Sequence, residues 1–173
     1  MARHLIIDGY NLLRGSKRYA ADTERDLDAA CERLIADLGA RAAGGQKVTL
    51  VFDGGGNPFS EGVPRNVGGL TVIHSAAGTD ADTVIEALAA AAREAGEETE
   101  IVTSDAATRW SSLGGPVIVT RASSFALELA DDDAEWRAES DRQSRSRGTV
   151  SDRVGHDVRA RLDALAGRRA PKG

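Results

Sequence analysis

The sequence predicts an α/β domain in three layers, in which a central, mainly parallel five-stranded sheet carries helices on both faces. The first observation behind this prediction is that five short β-rich apolar runs alternate with segments of helical periodicity. The second is size, because 173 residues of which 41% are hydrophobic can bury the core of one domain without a disulfide or structural metal. A helical tail is predicted after the sheet.

The first third of the chain predicts one strand and one long helix. Residues 4–8 form a short apolar run that ends at Gly9 and reads as a buried strand. A basic loop is predicted over residues 14–18. Helical periodicity then extends over residues 22–43, and the pair Gly44-Gly45 ends it. The apolar stripe of this helix consists of Leu27, Cys31, Leu34, Ile35 and Leu38.

The rest of the chain continues the alternation. Four further strands are predicted at residues 48–53, 70–74, 100–105 and 116–120. The glycine-rich segment 54–69 is predicted to be a long loop, and a helix is predicted over residues 79–95. Ser123 or Ser124 can cap a helix that runs through Leu129. From residue 134 onward, two helical stretches with a break near Gly148 are predicted.

Acidic side chains follow the predicted strands. Asp8, Asp53 and Asp105 each end a strand, and Asp80 and Asp82 stand at the start of the helix after the third strand. Because the carboxyl ends of parallel strands lie along one edge of a sheet, these acids are expected to be neighbours. Like charges raise one another's pKa and weaken the fold, so such a cluster favours a bound cation. Oxygen ligands without His or Cys suit Mg²⁺ or Mn²⁺ better than zinc.

Each acid taken alone also has a structural interpretation. Asp105 can cap a helix, and Asp53 can start a turn. Asp80 or Asp82 can favour the positive end of the helix dipole. It is their shared position after strands that favours a metal site over these separate explanations.

Several strings carry a resemblance to a known family. They are IIDGYNLL at residues 6–13, VFDG at 51–54, AD at 81–82, IE at 85–86 and VTSD at 102–105. In order and spacing they resemble the NYN domain proteins of the YacP type, which are PIN-like ribonucleases. The resemblance covers residues 3–130, and DGYNLL is its specific part. It implies a PIN-like nuclease domain over residues 1–133. The charge and helical pattern of the remaining residues, 134–173, predict a basic, helical and partly flexible extension.

The resemblance also implies a reaction. In the family, the acids after the strands bind a divalent metal used in phosphodiester cleavage, which assigns that role here to Asp8, Asp53, Asp82 and Asp105. Asn11 would be a catalytic residue close to this metal, which is expected to be Mg²⁺ or Mn²⁺. RNA is implied as the substrate and, for YacP-like members, action on messages at the ribosome.

The third acidic motif departs from the family pattern. Relatives commonly read Thr-Ala-Asp-Glu, whereas this chain has an extra acid, Asp80, before Ala81-Asp82, and Thr83 in place of the glutamate. Asp80 and Glu86 are therefore additional candidate ligands. Asp82 and Glu86 stand four residues apart and share a helix face, although a solvated helix glutamate explains Glu86 equally well.

Charge is unevenly distributed along the chain. The net charge is −5, but residues 137–173 hold ten basic and five acidic residues, which leaves the preceding part strongly acidic. The tail is interpreted either as a solvated amphipathic helix or as an arm that reaches phosphates. Near the first strand, Arg14, Lys17 and Arg18 are candidates for contacts with flanking phosphates of the substrate.

The leading hypothesis is therefore a metal-dependent endoribonuclease that hydrolyses RNA. The alternative is a non-catalytic RNA- or ribosome-binding module whose acid cluster is structural. A small-molecule phosphatase ranks last, because Asp8-Gly-Tyr10 lacks the second acid of a DxD motif. The start of the chain has no signal-peptide pattern, no stretch is apolar enough for a membrane span, and Cys31 is the only cysteine, so a cytoplasmic protein is expected.

Overall fold

The computed structural model describes residues 3–54, 56–104, 117–135 and 137–143. The chain divides into two compact units, Met1–Ala130 and Asp131–Gly173. Within the described part of the second unit, residues 131–135 and 137–143 are helical, whereas the predicted break near Gly148 lies outside the described residues. In the parts of the chain that the structure describes, no helix is both long enough and apolar enough to cross a membrane.

The first unit is built on a six-stranded sheet in the order β3-β4-β2-β1-β5-β6. The strands are β1 (His4–Asp8), β2 (Val48–Phe52), β3 (Arg65–Val67), β4 (Leu70–His74), β5 (Thr99–Thr103) and β6 (Val117–Arg121). All neighbours pair in parallel except β3 and β4, which are antiparallel. The predicted α/β class and mainly parallel sheet are confirmed, with six strands in place of the predicted five.

The additional strand lies inside the segment 54–69 that was predicted to be a loop. Val67 pairs with Leu70, and the two residues between them, Gly68 and Gly69, have φ values of 60° and 87°. Positive φ at both central positions is the backbone of a tight two-residue hairpin, which glycine adopts at little steric cost. Strand β3 therefore forms an exposed, three-residue edge of the sheet.

Four helices of the first unit have defined bounds: α1 (Gly9–Gly15), α2 (Lys17–Arg25), α3 (Leu27–Ala43) and α4 (Ala81–Glu94). The predicted basic loop over residues 14–18 is wrong, because the end of α1 and the start of α2 occupy it. The predicted single helix over residues 22–43 is also divided. Asp26 has an extended backbone, its N–H donates to the Asp22 carbonyl, and its carboxylate accepts from the Ala29 N–H, so one residue ends α2 and caps α3.

The sheet is covered on both faces, which confirms the three-layer arrangement. On one face, Leu12, Tyr19 and Leu34 from α1–α3 pack with Phe125 against the sheet. On the other face, α4 contributes Ile85 and Ala89 to a core with the inward side chains of β1, β2 and β5. The chain is helical from residue 122, directly after β6, so Ser123 and Ser124 lie inside the helix and not at its cap.

Candidate active site

Asp8 is the last residue of β1 and the N-cap of α1, and only 5% of it is exposed. Its Oδ1 accepts a hydrogen bond of 3.0 Å from the backbone N–H of Asn11. Its Oδ2 accepts a second bond, 2.6 Å long, from the side-chain amide of the same residue. Both carboxylate oxygens are thereby oriented by the first turn of α1.

Asn11 also connects two strands. Its amide nitrogen lies 3.4 Å from the Thr103 hydroxyl, which is buried at the end of β5. The chain passes from β1 through β2 to β4 on one side of β1, and then returns to place β5 on the other side. The junction of β1 and β5 is thus the point where the strand order reverses, and open α/β sheets bind ligands at such a point.

Gly9 allows this turn to approach the sheet closely. A Cβ atom at this position would lie 2.4 Å from Cε1 of Phe52, whose ring is buried at the end of β2. Carbon atoms make favourable contacts at about 3.5–4.0 Å, so no larger residue fits without displacing the ring. The Asp-Gly pair in the DGYNLL string therefore has a steric basis.

Three of the predicted ligands converge on one cleft of about 410 Å³ at the carboxyl edge of the sheet. Asp8 reaches it from β1, Asp53 from the end of β2, and Asp82 from the first turn of α4. Asp80 lines the same cleft, whereas Glu86, one turn further along α4, is half-buried outside it. Asp105 belongs to the segment that the structure does not describe. Within residues 3–54, 56–104, 117–135 and 137–143, no group of three or more His, Cys, Asp or Glu side chains is preassembled for a metal ion.

The electrostatics of the cleft act on Asp8. Burial raises the pKa of the Asp8 carboxyl above its usual range, and the hydrogen bonds from Asn11 partly oppose this rise. The negative charges of Asp82 and Asp53 raise the Asp8 pKa further. Asp53 and Asp82 are therefore close enough to Asp8 for their charges to disfavour the ionised form of Asp8.

Ser75 connects Asp53 to the start of α4, and the sequence analysis did not identify it. Its hydroxyl donates to the Thr79 carbonyl over 2.6 Å, accepts from the Gly54 N–H over 2.9 Å, and lies 3.5 Å from Asp53 Oδ1. A Cβ atom on Gly54 would lie 2.2 Å from the Ser75 carbonyl oxygen, so the two loops fit only with glycine there. Ser75 directly follows β4 at the same sheet edge as the acids, which is the signal that could have found it.

The additional acid in the third motif has a structural role. Asp80 is the N-cap of α4, and its Oδ1 accepts hydrogen bonds from the backbone N–H and the hydroxyl of Thr83 at 2.8 and 2.5 Å. Thr83 therefore takes part in fixing the first turn of the helix. Asp82 is positioned by this turn and faces the cleft half-buried.

The three basic residues predicted to contact substrate occupy different environments. Arg14 lines the acid cleft, with its guanidinium 5.7 Å from the centre of the Tyr10 ring. Lys17 is exposed at the start of α2 and does not line the cleft. Arg18 is held by Asp37, to which its Nε and Nη2 donate at 3.2 and 2.9 Å. Of these three residues, only Arg14 lines the cleft that contains the carboxylates.

The fold and this cleft define a class of protein, a three-layer α/β domain whose candidate site is lined by carboxylates at the carboxyl ends of parallel strands. Within that class, the chain belongs to the YacP-like NYN domain family, whose model matches residues 5–166. The match confirms the predicted family, which groups the protein with PIN-like nucleases. The matched range also includes most of residues 134–173, which were predicted to form a C-terminal extension.

Solved structures show the same fold. One is a crystal structure of Rae1 (YacP) from Bacillus subtilis, whose sequence is 20% identical to this chain. The match covers 95% of this chain and 95% of that chain, with a TM-score of 0.66. Another is a crystal structure of a mutant of that protein, whose sequence is 23% identical to this chain. The match covers 83% of this chain and 82% of that chain, with a TM-score of 0.61. No curated protein matches the chain significantly. The solved structures support the architecture.

Proposed function

We propose that this protein is a divalent-metal-dependent endoribonuclease that hydrolyses phosphodiester bonds in RNA. The observation that carries the proposal is the convergence of Asp8, Asp53 and Asp82 on one cleft at the carboxyl edge of the sheet. Membership of the YacP-like NYN domain family supports nuclease chemistry and RNA as the substrate class. Asp105 is the proposed fourth acid, because in the sequence it follows Thr103, the last residue of β5, by two positions.

The donor chemistry fits a hard divalent cation, Mg²⁺ or Mn²⁺. The candidate ligands are all carboxylates, and Mg²⁺ and Mn²⁺ prefer oxygen ligands. Burial and the charges of Asp53 and Asp82 disfavour the ionised form of Asp8, and a bound cation would reverse that effect.

When bound, such a cation supplies a Lewis acid that polarises the scissile phosphate and lowers the pKa of a water molecule. The chain's own residues provide the frame for this chemistry. Asn11 donates to both oxygens of Asp8 and holds that carboxylate against β1 and β5. Ser75 and Asp80 fix the turns that carry Asp53 and Asp82. Asn11, Ser75 and Asp80 thereby position the three carboxylates.

Arg14 is the substrate-binding residue that the cleft supports best. It is exposed at the rim, where its guanidinium can donate two parallel hydrogen bonds to a phosphate group. Lys17 is exposed one helix further and is proposed to contact a more distant phosphate. For Arg18, contact with RNA would require breaking its two bonds to Asp37, so its role in the proposal is secondary.

The test is cleavage of a labelled single-stranded RNA in Mg²⁺, Mn²⁺ or EDTA, with ribosomes present and absent. Wild-type protein is expected to cut in metal and not in EDTA. Asp8→Asn should lower the rate roughly 100-fold or more, because it removes a proposed ligand. Its thermal midpoint at neutral pH should hold or rise, because the pKa of Asp8 is raised in the folded protein.

The matched control is Asp22→Asn, which makes the same chemical change on the exposed surface of α2, where Asp22 pairs with Arg33. It should cut at the wild-type rate. Wild-type cleavage by Asp8→Asn in Mn²⁺ would refute the site assignment. The ribosome arm shows whether cleavage occurs on naked RNA or only on translated messages.

The second candidate function is a non-catalytic RNA- or ribosome-binding module. The observation that favours it is that Asp8 and Asp80 both act as helix N-caps, which gives two of the acids structural roles. It predicts RNA or ribosome binding without metal-dependent cleavage. The same assay therefore separates the two functions.

A further inference from the structure

A second, larger cleft adjoins the acid cleft. It has a volume of about 670 Å³ and shares Tyr10, Asp53 and Gly56 with the acid cleft. Its outer wall is the segment between β2 and β3, and its inner wall is formed at the ends of β2 and β4. A polymer that crosses the acid cleft can therefore place a neighbouring group in the second cleft.

The side chain of Phe59, on the outer wall, is exposed to solvent. It is 87% exposed, and its backbone N–H donates to the Asn57 side chain over 2.9 Å. The next residue, Ser60, anchors the segment, because its hydroxyl donates to the Ser75 carbonyl at 2.7 Å and its own carbonyl accepts from the Ala77 N–H at 2.9 Å. These hydrogen bonds fix the turn so that the Phe59 ring stays exposed to solvent. Burying a phenylalanine side chain is normally favourable, so this exposure calls for an explanation.

The inner wall is aromatic. Tyr10 packs on the buried ring of Phe52 with centroids 5.1 Å apart, and His74 stacks on the same ring at 5.3 Å. Tyr10 and His74 both line the second cleft, as does Phe59. The cleft therefore offers flat π surfaces on its inner wall and on its outer wall.

The charges of the cleft select against a phosphate. Among the described residues, the charged lining groups are the carboxylates of Asp28, Asp53 and Glu61 and the guanidinium of Arg65. Three carboxylates repel a phosphate, but they can accept hydrogen bonds from the amino and imino groups at the edge of a nucleobase. Aromatic surfaces next to hydrogen-bond acceptors suit an unpaired base, and not the backbone that joins bases.

We propose that the second cleft binds one unpaired nucleobase of the RNA, adjacent to the phosphate in the acid cleft, with Phe59 as a stacking residue. This inference rests on the proposed function and deepens it, because it names single-stranded RNA as the substrate class. A base within a duplex is stacked and paired, so its faces and edge are not available to the cleft.

The test is binding of a fluorescent single-stranded oligoribonucleotide in EDTA, compared with an oligonucleotide of equal length that lacks its bases. Phe59→Ala should weaken binding of the base-containing oligonucleotide roughly five- to 150-fold, the loss expected for one stacked base. It should leave binding of the abasic oligonucleotide and of a duplex unchanged. Phe59→Tyr keeps the ring and should bind as wild type. Leu127→Ala, which removes another large exposed apolar side chain outside the cleft, is the matched control.

Equal binding of the base-containing oligonucleotide by wild type and Phe59→Ala would overturn the inference, as would equal wild-type affinity for the abasic oligonucleotide. Metal-dependent cleavage by the wild type is measured in parallel. A protein that cuts RNA but shows no effect of Phe59 retains the proposed function and loses the base site. A protein that binds bases through Phe59 but never cuts RNA retains the base site and loses the proposed function.

Discussion

Gly9→Ala is expected to destabilise the protein although it places a better helix former in α1. Helix propensity alone would stabilise an alanine over a glycine by roughly 0.5–1 kcal/mol. The new Cβ, however, would lie 2.4, 2.6 and 3.0 Å from three carbons of the Phe52 ring. That ring is 1% exposed and in contact with Tyr10 and His74, so it has little space to move.

The expected net cost of this overpacking is about 1–3 kcal/mol in the free energy of unfolding. For a chain of this length, it corresponds to a thermal midpoint lower by roughly 2–12 °C. Differential scanning fluorimetry measures the shift, and RNA cleavage measured well below the midpoint tests whether the displaced turn also disturbs Asp8 and Asn11. Cleavage should fall, because both residues belong to the turn that Gly9 shapes.

Gly39→Ala is the matched control, since Gly39 lies within α3 and the nearest contact of an added Cβ is an ordinary 3.5 Å. It should raise the midpoint. The double variant Gly9→Ala/Phe52→Leu should lose less stability than the two single changes added together, because the ring that clashes is gone. A Gly9→Ala protein as stable as wild type would refute the steric argument.

Two further predictions concern metal and pH. Millimolar Mn²⁺ should raise the thermal midpoint of wild type and not of Asp53→Asn, because a ligand that binds only the folded state stabilises it; equal shifts in both proteins would contradict the site. Burial and then Lys47 lower the pKa of His4, while Glu97 opposes them, so the folded protein disfavours protonated His4. The free energy of unfolding should therefore be unaffected by His4 above about pH 6.5 and should decrease as the pH drops below that value. The decrease should be smaller in His4→Gln. Identical pH profiles of the thermal midpoint in the two proteins would contradict this prediction.

The strands and the site edge could be predicted from the sequence because their signals are local. Continuous apolar runs such as residues 48–52 identify buried parallel strands, and an acid directly after such a run must lie at the carboxyl edge. The strand positions alone bring Asp8 and Asp53 to the edge where α4 begins, and the cleft is lined by these two residues together with Asp80 and Asp82. The preference for Asp82 over Asp80 as a ligand comes from the family resemblance.

What could not be predicted depends on single backbone conformations or on distant contacts. The break at Asp26 is a one-residue change to φ −159° within an otherwise helical pattern. The β3 hairpin had a signal in Gly68-Gly69, but its short polar strand resembles a loop. The bond between Ser75 and Thr79 and the pairing of Arg18 with Asp37 depend on the folded chain, and no periodicity reveals them.

The contact between Asn11 and Thr103 also constrains when the site can form. The two residues are 92 positions apart, and β1 occupies a central position between β2 and a strand that is synthesised much later. Closing so long a loop is slow compared with forming the local contacts of α1 to α3. During synthesis, β1, β2 and their two acids can emerge and pair, but the β1–β5 junction cannot exist before residue 103 has been made. A chain released early therefore carries the acids without the strand that completes their edge.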